Sequence, residues 1–232
     1  MPCAIILIVI GMLFASPMRA GEPWPGLSVL KVDRTCSNTI RIRYKPELTT
    51  VINCTFTDPE SKMKTVEAVE ARVSAGSAPL LIEYSEGPSC DPTFFVYRCM
   101  DHRKTGEPLL TVWGLTLAIP GDGFIYVYGH TNNFYSQMRK FEATQTGVRE
   151  VPQPFFFVGL KTKTTVGLDL LSSPDAGVVV SRLEKGERAT VLACKADDWC
   201  LVKDRIGVVG WFKLEYTEKG NGQFLGVFFA GD

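Results

Sequence analysis

Residues 207–215, Gly-Val-Val-Gly-Trp-Phe-Lys-Leu-Glu, decide how this chain reads. Two glycines bracket a valine pair, and a Trp-Phe pair follows before alternation into Leu214. A β-branched and aromatic run bounded by glycine reads as a short strand. Gly210 leaves room for a close backbone approach or an unusual φ. Alternation puts Trp211, Lys213 and Glu215 on one face, with Phe212 and Leu214 on the other. The face carrying Lys213 and Glu215 is the wet one. Phe212 and Leu214 are therefore expected in the core, and Trp211 partly exposed with its indole N–H open to a partner.

Similar runs fill most of the chain. "TIRIRY", "TTVINCTF", "PLLIEYS", "TFFVYRC", "LLTVWGLTLAI" and "FIYVYG" are strand-like and bounded by turn residues. Gly-Asp-Gly inside "IPGDGF", residues 119–124, predicts a tight hairpin. Residues 63–75, "MKTVEAVEARVSA", fit both a helical stripe and a strand face, and three valines favour the strand. The fold class expected is all-β. "REVPQPFFFVG" carries two prolines that break a ladder, so a joint is placed near 152–158. Residues 21–155 then form a β-rich domain of unnamed type.

Beyond the joint, "TVGLDLLSSPDAGVVVSRLEKGERATVLACKADDWCLVKDRIGVVGWFKLE" resembles a bacterial SH3 (SH3b) domain over about residues 165–216. Leu168, Leu170 and Pro174 match the opening strand and turn. Leu183 and Gly186 carry the Leu-x-x-Gly step. Trp199 stands at the hairpin position, and Gly210-Trp211 close the module. Asp169-Leu170-Leu171 departs from the usual Asn-Val-Arg, and Cys200 replaces an aromatic. The resemblance implies a small five-stranded barrel over 158–216 in an exported or cell-wall protein. The apolar tail 217–232, with Phe224, Leu225, Val227, Phe228 and Phe229, is expected to pack back; an exposed docking segment is the alternative.

Residues 1–20 read as a signal peptide. Cys3 to Ala15 is apolar but short of the ~20 residues of a spanning helix, and Ala20 precedes the expected cut. No Lys or Arg precedes the apolar run, so an uncleaved anchor is the competing reading. After cleavage no transmembrane segment is expected, and the localisation is periplasmic or extracellular. Export leaves Cys36, Cys54, Cys90, Cys99, Cys194 and Cys200, an even number in an oxidising compartment. Their spacing suggests local bridges Cys36–Cys54, across a hairpin turning near "KPEL", Cys90–Cys99, and Cys194–Cys200. Free buried thiols are the alternative. Zinc spacing is absent, and neither a metal nor any other cofactor is expected.

Cys194 and Cys200 can bond only if they oppose each other, which requires Trp199 to belong to the loop. Thr190, Leu192 and Cys194 then share a side with Cys200 and Val202, and Trp199 is freed at the tip. Trp199 and Trp211 are the expected walls of a shallow ligand groove, with Asp197 and Asp198 at its rim. The rival reading has Trp211 lidding the barrel.

The 25 Lys plus Arg balance 25 Asp plus Glu, and no basic stripe is visible along the sequence, so no nucleic-acid partner is expected. His102 and His130 stand in turn-like segments and read as hydrogen-bonded loop residues rather than bases. No nucleophile elbow or phosphate loop occurs, and no catalytic residue is assigned. The function expected is a non-enzymatic exported binding protein contacting cell-wall peptide, glycan or an envelope protein. A wall hydrolase or inhibitor activity in the first domain is the alternative.

Overall fold

The computed structural model describes residues 24–35, 38–57, 59–60, 64–86, 91–130, 132–144, 146–216 and 222–230. The expected signal peptide, Cys36 and Cys90 lie outside the described residues. The chain is all-β. Its strands in order are β1 (Ser28–Thr35), β2 (Asn38–Tyr44), β3 (Thr49–Thr57), β4 (Lys64–Ala71), β5 (Leu80–Ser85), β6 (Thr93–Met100), β7 (Arg103–Trp113), β8 (Thr116–Ile119) and β9 (Phe124–Gly129). They continue as β10 (Gln137–Ala143), β11 (Val148–Glu150), β12 (Phe156–Lys163), β13 (Leu168–Leu171), β14 (Val179–Leu183), β15 (Arg188–Cys194), β16 (Trp199–Lys203) and β17 (Val209–Lys213).

Three sheets result: β1-β2-β8-β9-β10-β11, β3-β4-β5-β6-β7 and β12-β15-β16-β17-β13-β14. The valines of 63–75 do form a strand, β4, with Val66, Ala68, Val69 and Ala71 buried. Inward residues of the first two sheets make one core. Ile40, Ile42, Leu117, Ile125 and Phe141 come from the first; Val66, Ile82, Tyr84, Phe94 and Val96 come from the second. This is a sandwich, and period-2 alternation explains it: each strand offers one apolar face to the sheet opposite. Pro108 is tolerated in β7 because that strand is an edge with no further ladder to serve.

The predicted Gly-Asp-Gly hairpin joins β8 and β9. Gly121 and Gly123 take φ of +87° and +95°, and the Asp122 carboxylate accepts the Phe124 N–H at 3.1 Å. "KPEL", in contrast, is not a hairpin. Pro46–Leu48 form a 3-10 turn that carries the chain from β2 in one sheet to β3 in the other, and β2 pairs instead in parallel with β8. The cysteine pairing changes with it. Cys54, exposed on β3, and Cys99, buried on β6, carry free thiols, so the bridges Cys36–Cys54 and Cys90–Cys99 are not formed. Only one partner of each expected pair lies among the described residues. For Cys54 the reason is the crossover: β2 and β3, which flank "KPEL", belong to different sheets and form no hairpin.

Strand pairing changes sheet between Glu150 and Phe156. The third sheet encloses a second core of Leu168, Leu170, Leu183, Val191, Cys194, Cys200, Val202 and Leu214. Phe134 and Tyr135 enter it from the β9–β10 connection, and Phe224 and Val227 enter it from the tail. The tail packs back through two isolated bridges, Thr164↔Phe224 and Asn133↔Ala230. No helix among the described residues is long and apolar enough to cross a membrane.

In β17 Gly210 is wanted for space. A Cβ there would meet Leu170 Cβ at 2.7 Å and Val180 Cγ2 at 2.8 Å. Leu214 is buried, Phe212 packs on the core and Trp211 is half-buried, as alternation requires. Cys194 pairs with Cys200 in register and is disulfide-bonded to it. The faces of β15 differ from expectation at Thr190 and Leu192. A register shift between Val191 and Ala193 inserts an extra residue, so Cys194 shares the inward side with Val191 and not with Thr190 and Leu192.

Candidate ligand-binding groove

The two-tryptophan groove is not assembled. Trp199 is not freed at a hairpin tip: it starts β16, stands opposite Lys213 and is only 7 % exposed. Its ring meets the Lys213 ammonium at 6.0 Å. A buried ring offers no wall to a ligand. Trp211 pairs with Leu201 and Leu171, and its ring lies 6.1 Å from that of Phe155 in the joint. Asp197 is exposed and paired with Lys195 at 3.3 Å. Asp198 shapes the turn: its φ is +65° and its carbonyl accepts the Leu214 N–H at 3.0 Å. Burial pushes its carboxyl pKa up, Asp197 adds to this, and Lys213 opposes it.

A larger concavity, about 910 Å³, lies where the sandwich meets the third sheet. Its sandwich wall follows from register. β2, β8, β9 and β10 align Arg41, Thr116, Tyr128 and Met138 in one row, and Arg43, Ala118, Tyr126 and Lys140 in the next. The opposite faces of these strands hold Ile40, Ile42, Leu117, Ile125, Val127 and Phe141 in the core. Arg41 spends one N–H on the Thr39 carbonyl at 3.1 Å. Trp24 extends the wall, its ring 5.4 Å from Tyr126. Burial, followed by the hydrogen bond to Asp122, pushes the Tyr126 hydroxyl up to about 12, so it stays protonated. The facing wall comes from the joint and β12: Gln153, Phe155, Phe156, Phe157, Val158 and Leu160, with Gly226 and Val227 of the tail.

Hydrogen bonds tie the walls together. Gln153 Nε2 donates to the Met138 carbonyl at 2.7 Å, and the Tyr135 hydroxyl donates to the Lys195 carbonyl at 2.9 Å. His130 Nε2 faces two carbonyls, Asn133 at 2.9 Å and Phe228 at 3.0 Å. Two acceptors demand a donor, so Nε2 carries the proton and His130 clamps the tail to the sandwich. Burial lowers its pKa, and the two carbonyls oppose this in part. Burial likewise pushes the Tyr135 hydroxyl up to about 12.

The groove therefore has fixed walls, exposed rings and guanidinium groups. Tyr128 is 40 % exposed and Phe155 43 %. Such a lining takes the apolar face of a ring or side chain by stacking, and a carboxylate by charge-assisted hydrogen bonds. The alternating Ile-Arg-Ile-Arg of 40–43 and Phe-Ile-Tyr-Val-Tyr of 124–128 already mark these residues as outward-facing. Which strands stand beside one another was the missing information.

Two titratable clusters lie elsewhere. Glu70 Oε2 accepts from both His102 Nδ1 at 2.6 Å and the Cys99 thiol at 3.4 Å. The carboxylate thus separates the histidine from the sulfur. Burial and then Glu70 push the thiol up to about 11, so it is no nucleophile at neutral pH. Glu67 and Glu83 oppose each other across β4 and β5. Glu83 is buried and bound by Lys104 at 2.6 Å, and burial followed by the Glu83 charge raises the Glu67 pKa. No group of three or more His, Cys, Asp or Glu gathers as a metal site among the described residues. Comparison with protein-family models, curated proteins and solved structures finds no match.

Proposed function

We propose that this chain is an exported, non-enzymatic binding protein. In this reading a sandwich and an SH3-like barrel module together hold a cell-wall peptide, a glycan or an envelope protein in the groove between them. One observation carries it: the groove of about 910 Å³ is lined by aromatic rings and by Arg41 and Arg43, and its histidine is committed to two backbone carbonyls. Its size suits ligand sites, which span roughly 300–1,000 Å³. Stem peptides of the wall carry carboxylates that a guanidinium recognises, and sugar rings present apolar faces to aromatic side chains.

Support for the SH3-like module is coarser. Its strands are short and antiparallel around one apolar core, and the Gly-Trp strand β17 pairs on both sides. Export is supported by the Cys194–Cys200 disulfide, since such bonds persist in oxidising compartments.

Purified protein mixed with isolated sacculi tests the reading. The expected result is co-sedimentation without release of soluble fragments. Release of fragments makes the protein a hydrolase, and failure to sediment with the wall removes the proposed ligand.

A further inference from the structure

The zero net charge of the chain hides a local excess. β12, β15 and β16 bring Lys161, Thr190 and Lys203 into one cross-strand row of the third sheet's outer face, with Lys163 and Arg188 in the next. These residues line a shallow groove of about 620 Å³. The four cations are exposed, and none of them enters an ion pair or a side-chain hydrogen bond among the described residues. Several cations elsewhere are matched: Lys104 with Glu83, Arg139 with Glu150, Arg149 with Glu142 and Arg182 with Asp169.

The carboxylates nearby are already committed. Asp204, 6 % exposed, accepts the N–H groups of Ile206, Gly207 and Val208 at 2.8–2.9 Å and the Ser181 hydroxyl at 2.7 Å. Burial alone would raise its pKa, but the hydrogen bonds outweigh burial and hold it below the ordinary carboxylate value. Glu187 is bound to Arg205 at 3.0 Å. Asp204 keeps its negative charge in the groove but forms no ion pair, and Glu187 is taken by Arg205, so among the described lining residues Lys161, Lys163, Arg188 and Lys203 outnumber the one carboxylate without a cationic partner.

Sheet geometry sets the footprint. With strands about 4.8 Å apart and residues i and i+2 about 7 Å apart, Lys161 and Lys203 stand roughly 10 Å apart across the sheet. Lys161 and Lys163 are about 7 Å apart along β12. This accommodates two consecutive phosphates of a chain rather than one isolated ion. No aromatic residue lines the groove, so a nucleobase finds no stacking surface there. We infer that this basic groove is a second binding site, for a linear phosphate polymer, independent of the aromatic groove.

Labelled inorganic polyphosphate, titrated with the full chain and read by fluorescence anisotropy, tests the inference. The proteins compared are the wild type, Arg188→Glu, Lys203→Glu and the distant control Lys31→Glu, with Tm measured for each. Four phosphate contacts predict roughly a 50-fold fall in affinity between 50 and 200 mM salt. Arg188→Glu and Lys203→Glu should each weaken binding at least tenfold with Tm unchanged, and Lys31→Glu should leave it intact. Lack of binding, salt-independent binding, or equal loss in Lys31→Glu overturns the site. Tighter binding of a single-stranded oligonucleotide of matched charge overturns the ligand class.

Discussion

In the sandwich two sheets face each other, and each supplies part of the core, Ile40, Leu117 and Phe141 against Val66, Tyr84 and Phe94. Among the described residues no second sheet faces the third. Of the 14 described buried residues in its core, Phe134, Tyr135, Phe224 and Val227 come from outside residues 156–214. It is also the unit that holds the Cys194–Cys200 disulfide. A sheet of this length buries too little apolar surface to be secure alone. The supplements close its core, and they also anchor it to the sandwich. The groove walls are fixed as a consequence.

The comparison breaks most visibly at the tail. Phe224 is 1 % exposed, with its ring 5.6 Å from Phe212. Phe224→Ala should cost about 3–5 kcal/mol, as large-to-small changes at buried aromatics do. The loss should appear in the unfolding of the third sheet, followed in urea by tryptophan fluorescence. A loss confined to the sandwich would refute the division.

The two tryptophans of the third sheet sharpen it next. Trp199→Ala should destabilise by about 3 kcal/mol because the ring is buried, and Trp211→Ala by clearly less because it is half-exposed. Chemical denaturation of the two variants decides this, and the reverse order would contradict the faces assigned to β16 and β17. Removing the disulfide, in a Cys194→Ser, Cys200→Ser double variant, closes no loop in the unfolded chain and should cost about 2 kcal/mol. Equal sandwich stability in the same titration is expected.

The smallest effect concerns His130. Its folded pKa lies below the ordinary 6.5 because burial disfavours the imidazolium. The unfolded chain then takes up the proton first on acidification. The stability that His130 contributes is full above about pH 6.5 and is lost as pH falls through the lowered folded value. Tm should therefore drop between pH 7.5 and 5.5, and His130→Gln should flatten that drop. An unchanged slope in the variant removes the clamp from the account.

Much of this was readable in the chain itself. Alternation placed Phe212 and Leu214 inward, the valines of 63–75 made β4, and Gly121-Asp122-Gly123 made its hairpin. The Cys194–Cys200 register followed from disulfide geometry. What failed had a common cause. "KPEL" crosses between sheets and makes no hairpin for Cys54 to close, and the Cys99 thiol is free as well. Alternation gave the face of Trp199 but not whether that face is covered. Arg41, Thr116, Tyr128 and Met138 lie far apart in sequence, as do Lys161, Arg188 and Lys203. Only strand order brings each set together, which is why a balanced sequence shows no basic stripe.

The central claim is that the junction between the two units is the ligand site, and Tyr128 tests it most directly. It is exposed in the groove row beside Thr116 and Met138, and its hydroxyl is not part of either core. Soluble wall fragments should be titrated into the wild type and Tyr128→Ala by calorimetry, with Tm recorded for both. The account predicts at least tenfold weaker binding, about 1.4 kcal/mol, at unchanged Tm. Equal affinity of the two proteins would contradict it.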